Sequence, residues 1–142
     1  MAKLIIGLAC GFFRYYSETD DTPRILLPDV QPLSLSIDPG KAERIYCATY
    51  NRGLWRSEDA GFTWFPIGAP QNFYGAYTPG SIAASATTSV SVSPEPEVNG
   101  RHAVWVGTEL SSVYRSTDNG ETFELVSELD MSSRGGVVSA PA

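Results

Sequence analysis

Apolar and small polar residues alternate in Leu33-Ser34-Leu35-Ser36-Ile37, and again in Ser89-Val90-Ser91-Val92-Ser93. A period of two predicts a β-strand with two unlike faces. Each stretch is followed by a short apolar run rich in β-branched and aromatic residues. These are Ile45-Tyr46-Cys47-Ala48-Thr49 and Ala103-Val104-Trp105-Val106-Gly107-Thr108, and they predict a second strand. A third is expected at Gly53–Ser57 and Ser112–Ser116, and a fourth at Thr63–Ile67 and Thr122–Val126. Gly, Pro, Asn and Asp punctuate the joins. No segment spaces its apolar residues at helical intervals, so almost no helix is expected.

These strands belong to a repeat. Ser57-Glu58-Asp59-Ala60-Gly61-Phe62-Thr63-Trp64 returns as Ser116-Thr117-Asp118-Asn119-Gly120-Glu121-Thr122-Phe123, sharing the pattern Ser-x-Asp-x-Gly-x-Thr-aromatic. Laid on each other, the copies match Leu33–Pro39 with Ser89–Glu95, and Leu54–Ser57 with Val113–Ser116. A partial copy, Leu4–Leu8 and Gly11–Arg14, opens the chain without the Asp motif. A repeated turn of this complexity implies a repeated structural unit. The motif falls between strands three and four, so it reads as a hairpin turn. Asp59 and Asp118 can accept hydrogen bonds from their own turn, and Ser57 and Ser116 can add a second cap. Gly61 and Gly120 can take positive φ. Trp64 and Phe123 then pack back onto the sheet, with Thr63 and Thr122 before them. A carboxylate needed twice at equivalent positions is a turn residue rather than a catalyst or metal ligand.

The 142 residues carry a net charge of −6. That argues against nucleic acid, whose phosphates require a basic surface, and against an anionic membrane surface. Cys10 and Cys47 are not at equivalent repeat positions and read as unpaired thiols, with Cys47 in a buried strand. Zinc spacing is absent and no cofactor or metal is expected. The N-terminus superficially suggests a lipoprotein signal ending at Cys10. Its apolar stretch, Leu4–Ala9, is shorter than the roughly 7–15 residues of a signal core. The repeat reads it as a strand, and a cytoplasmic location is the default expectation.

The repeat turns and their flanks (SIDPG, RIYCAT, GLWRSEDAGFTW) resemble the Asp-box, or bacterial neuraminidase repeat, of β-propeller proteins. That group includes sialidases, xyloglucan-degrading endoglucanases, sortilin-type receptors and photosystem II assembly propellers. The resemblance spans residues 1–130 and implies an all-β fold of four-stranded antiparallel blades, with a structural box away from the active face. The chain then divides into a partial blade at 1–28, blades at 29–70 and 71–130, and a tail at 131–142. That is about two and three-quarter blades, against the 4–8 of a closed propeller. If the chain is complete, a homo-oligomer should close the ring, and Val137-Val138 in the tail could supply a strand to a neighbouring copy.

Alternating turns place a candidate ligand site on the rim opposite the repeat turns. Tyr50, Asn51, Arg52 and Glu109 fall there, as do the crossovers Ser17–Pro28 and Gly68–Thr87. The second crossover holds Gln71, Asn72, Tyr74 and Tyr77, aromatic and amide side chains suited to a carbohydrate or protein ligand. Glu18, Asp20 and Asp21 cluster in the first, where two carboxylates could serve glycoside hydrolysis but more simply form a solvated loop. Arg14, Arg56 and Arg115 recur at equivalent positions, which suggests structure and not a sialidase-type arginine triad. His102 reads as a surface histidine. No nucleophile set is assignable. The expected function is a non-catalytic propeller module that binds glycan or protein or scaffolds an assembly. The alternative, if it is an enzyme, is the N-terminal part of a glycoside hydrolase.

Overall fold

The computed structural model describes residues 3–8, 12–17, 20–68, 80–82, 86–109, 111–130 and 137–139, with 3–28, 128–130 and 137–139 described as backbone. Three antiparallel sheets follow one another along the chain. The first is β1 (Lys3–Leu8), β2 (Phe12–Ser17) and β3 (Asp20–Pro28), paired in that order. The second is β4 (Pro32–Asp38), β5 (Lys41–Thr49), β6 (Gly53–Ser57) and β7 (Phe65–Ile67). The third is β8 (Thr87–Pro96), β9 (His102–Thr108), β10 (Ser112–Ser116) and β11 (Glu124–Asp130), with β12 (Val137–Ser139) added outside β11. No helix occurs among the described residues, and so none is long and apolar enough to cross a membrane. The fold is all-β, and the second and third sheets are up-and-down blades of the expected type.

Three details differ from the sequence reading. The segment Ser17–Pro28 is not a crossover loop, because Asp20–Pro28 pairs with β2 through Arg14↔Ile25 and Tyr15↔Arg24. Asp20 and Asp21 therefore open a strand, while Glu18 lies outside the described residues. The segment read as a tail contributes β12 to its own chain, through Leu129↔Val138 and Asp130↔Val137, instead of passing to a neighbour. The third difference is one of register. Ser36 lies opposite Tyr46 and Leu35 opposite Cys47, whereas Ser91 lies opposite Trp105 and Val90 opposite Val106. Leu35 is thus equivalent to Val90, and not to Ser91 as the text alignment has it. One residue of slip exchanges the two faces of a strand.

With that register, each blade has a forward and a rear face. The forward face of the second sheet meets the rear face of the third. Between them lie Tyr46, Ala48 and Leu54 from one side and Val90, Val92, Val104, Val106, Tyr114 and Phe123 from the other, all buried in one core. The innermost strands are joined by serines. Ser34 Oγ donates to Val90 O and accepts from Val90 N, each at 3.2 Å, and Ser36 Oγ accepts from Val92 N at 3.0 Å. Thr87 Oγ1 does the same at the strand's start, accepting from Thr49 N at 3.0 Å and facing the carbonyls of Thr49 and Gly53 at 3.0 Å. The rear face of the second sheet carries a smaller core of Val30, Ile45, Cys47 and Trp64 with Trp55 against it. Cys47 is a free, fully buried thiol, and burial raises its pKa far above the usual value. Cys10 lies outside the described residues.

Candidate functional site

The two repeat turns are built alike. Ser57 Oγ donates to Asp59 Oδ1 at 2.9 Å and accepts from Gly61 N at 2.8 Å. Asp59 also accepts from Thr63 N at 2.8 Å and from Thr63 Oγ1 at 2.5 Å. In the second turn Ser116 Oγ donates to Asp118 Oδ1 at 2.7 Å and accepts from Gly120 N at 2.9 Å. Asp118 accepts from Thr122 N at 2.9 Å and Thr122 Oγ1 at 2.5 Å. Two consecutive residues take the left-handed conformation in each turn: Ala60 and Gly61 at φ 62° and 95°, Asn119 and Gly120 at 61° and 83°. Trp64 closes the first turn by donating from Nε1 to Gly61 O at 2.9 Å. At both aspartates burial works to raise the pKa, but the hydrogen bonds from Thr63 and Ser57, or from Thr122 and Ser116, outweigh it and hold the carboxyl below the usual range. These carboxylates spend their acceptor capacity inside their own turns.

The turns also dock one blade on the next. Arg56, on the forward face of the second sheet, donates to the Asn119 carbonyl and to Glu121 Oε1 at 2.9 Å, both in the third sheet's turn. A Cβ at Gly120 would come within 2.7 Å of Ile67 Cδ1 and 3.3 Å of Tyr46 Cε1, so glycine is required there by contact as well as by φ. Behind Arg56, Glu58 accepts from Arg44 Nε and Lys41 Nζ, each at 2.8 Å, and Arg44 reaches on to Asp38 at 3.1 Å. Burial works to raise the Glu58 pKa, and the cations of Arg44 and Lys41 bring it below the ordinary value. The repeated arginine is thus a blade-to-blade tie in the copy where both blades are described. The Arg14 side chain lies outside the description. His102 is half-buried and not a plain surface residue: its Nδ1 donates to Ser93 O at 2.8 Å, and its ring lies against Gly40.

The opposite rim is used differently. The β5–β6 turn (Tyr50–Arg52) and the β9–β10 turn (109–111) both lie there, with Ala86 and Thr87 between them. Glu109 N donates to Ala86 O at 2.9 Å, and Thr87 holds the Thr49 end of the other turn. Asn51 is spent on structure, accepting from Gln31 N at 2.8 Å and donating to Asp29 O at 3.2 Å. Tyr50, Arg52 and Glu109 are exposed, and their side chains make no hydrogen bond or ion pair among the described residues. Gln71, Asn72, Tyr74 and Tyr77 lie outside those residues. Among the described residues, no group of three His, Cys, Asp or Glu side chains is placed to hold a metal ion.

Sequence reasoning passed over the serines of β4 and the threonine at Thr87. The signal was present: a strand whose hidden side is serine must satisfy those hydroxyls against another backbone.

No protein-family model matches this chain, and no curated protein matches it. Solved structures do. One, "YCF48 bound to D1 peptide", superposes with a TM-score of 0.54 at 16% sequence identity over 85% of this chain. This chain spans 36% of that one. The likeness is one of fold: at this identity it supports the blade architecture already derived from the strand pairing.

Proposed function

We propose that this chain is a run of propeller blades that binds a protein segment on the rim opposite the repeat turns, and that it does so without chemistry. The observation that carries the reading is the unequal use of polar groups on the two rims. On one, Asp59, Asp118, Arg56 and Glu58 are consumed by turn and blade contacts. On the other, an aromatic ring, a cation and an anion — Tyr50, Arg52 and Glu109 — stand exposed with unspent side chains. That trio suits a peptide, which offers backbone hydrogen bonds and charges of both signs; tyrosine and arginine are enriched where binding energy concentrates. The fold neighbour solved with a bound peptide supports a protein ligand over a glycan. Gln71, Asn72, Tyr74 and Tyr77 stay part of the proposal on sequence grounds. Because the chain spans only 36% of that neighbour, a complete ligand site can include blades beyond these.

A peptide array probed with the labelled chain tests this. Tyr50→Ala, Arg52→Glu and Glu109→Arg should each weaken capture about tenfold or more, as hot-spot truncations do. Asp59→Ala should leave capture by the folded fraction intact. Capture indifferent to all three rim variants, or lost in Asp59→Ala at an unchanged melting temperature, overturns the proposal.

A further inference from the structure

Asparagine is followed by glycine at Asn99-Gly100 and at Asn119-Gly120. Such a pair reacts slowly with water, because a glycine nitrogen, with no Cβ beside it, can attack the preceding side-chain amide. The nitrogen bonds to Cγ, the Cγ–Nδ2 bond breaks, and ammonia leaves with the glycine amide proton. Water then opens the cyclic imide, at one carbonyl to aspartate and at the other to isoaspartate. An unfolded chain treats the two pairs alike. The fold does not, since the ring closes only after the glycine N–H leaves its acceptor.

Gly120 is buried, and its N–H is donated to the buried Ser116 Oγ at 2.9 Å. Ile67 and Tyr46 of the second sheet lie against it, and the Asn119 carbonyl is tied to Arg56. Freeing that N–H requires the two blades to part. Gly100 sits at the exposed tip of the β8–β9 hairpin, where an added Cβ would meet nothing within 4 Å. Its N–H is donated to Glu97 O at 2.8 Å, a bond within one turn that water can replace. Exposed turn tips open at little cost, whereas a packed interface opens at a cost nearer that of global unfolding. The reaction at Asn99 also alters a contact. Asn99 Nδ2 donates to the Thr117 carbonyl at 2.8 Å, pinning the hairpin tip to the second repeat turn, while Oδ1 accepts from Arg101 N at 2.9 Å. Aspartate keeps the acceptor and loses the donor, so two oxygens face each other where a hydrogen bond stood.

We propose that Asn99 is a site of spontaneous deamidation, that the blade interface spares Asn119, and that the change frees the β8–β9 hairpin from the repeat turn. The site is separate from the peptide rim, and its test needs no peptide.

Peptide mapping by mass spectrometry, on the folded chain aged in mildly alkaline buffer, decides it. Asn99 should convert about tenfold or more faster than Asn119, and in urea the two rates should converge. Ser116→Ala removes the acceptor of the Gly120 N–H, and it should speed conversion of Asn119 about tenfold while leaving Asn99 unchanged. Near-UV circular dichroism checks that this variant folds, and the wild-type comparison stands without it. Asn99→Asp installs the product directly and should speed hydrogen exchange at the Glu97 amide, which closes the hairpin on Arg101 O, about tenfold. Equal rates at the two sites of the folded chain, a faster Asn119, or unchanged exchange at Glu97 in Asn99→Asp each overturns the proposal.

Discussion

Asp118 accepts three hydrogen bonds from partners within four residues, and Asp59 does the same. Losing the carboxylate strands a backbone N–H and two hydroxyls, so Asp118→Ala should cost about 1–3 kcal/mol in urea denaturation. Asp59→Ala should cost less, because Asp59 is exposed and water replaces its bonds. The pH dependence follows from the same geometry. Both carboxyls have folded-state pKa values below the unfolded ones. Their contribution is complete above the ordinary aspartate value of about 4 and is lost as pH falls through the lower folded value. The melting temperature should therefore drop on acidification below about pH 4, and the drop should be shallower in the Asp59→Asn, Asp118→Asn variant. An identical acid limb in both proteins would remove these aspartates from the account. At this scale the sequence is highly legible, since the hydrogen bonds that Asp59 and Asp118 accept come from within their own eight residues. Ala60 and Asn119 escaped notice: asparagine tolerates the left-handed region, but alanine gives no sign of it.

Between elements, hydroxyls do the work of a missing ladder. β4 and β8 belong to different sheets, yet Ser34, Ser36 and Thr87 hydrogen-bond across the gap. Thr87 is fully buried and serves three backbone atoms. Thr87→Val keeps the shape and strands the buried Thr49 N–H, while Gly53 O keeps its bond from Thr49 Oγ1, and the loss should cost about 1–3 kcal/mol. It should also speed hydrogen exchange at the Thr49 amide, while Thr88→Val on the exposed side changes neither. Unchanged exchange at Thr49 would show the bond to be dispensable. These elements are also where sequence reading reached its limit. Period-two alternation shows that Leu33–Ile37 and Ser89–Ser93 are strands, but either register gives an alternating match. Only pairing to Tyr46 and Trp105 shows which serines correspond. β3 was hidden because Asp20-Asp21-Thr22-Pro23 reads as loop while its ladder to β2 is nonlocal. Asn51 looked like a ligand group because its partners, Asp29 and Gln31, are about twenty residues away in sequence.

For the whole molecule, the corrected register changes which face of the third sheet is apolar. Val90 and Val92 are buried against the second sheet, and the face turned away from it is serine around one tryptophan. Trp105 then becomes a reporter. At 36% exposure it is more exposed than the half-buried Trp55 and than Trp64 at 9%, so in a Trp55→Phe background it should account for most of the acrylamide-quenchable emission. Adding Trp105→Phe to that background should remove most of the quenching. Quenching that is unchanged by the substitution would place the Trp105 ring under cover.

The outer margins of the sheets have a consequence of their own. β7 is three residues long with Pro66 at its centre, and the third sheet ends in β12, also three residues. A proline lacks an N–H to donate, and a strand this short gives an incoming chain few ladder bonds to copy. Lateral addition of strands, the route by which β-rich chains grow into fibrils, is therefore poorly templated at the periphery of both sheets. The outer strands of such a chain are therefore poor seeds for amyloid even at high concentration.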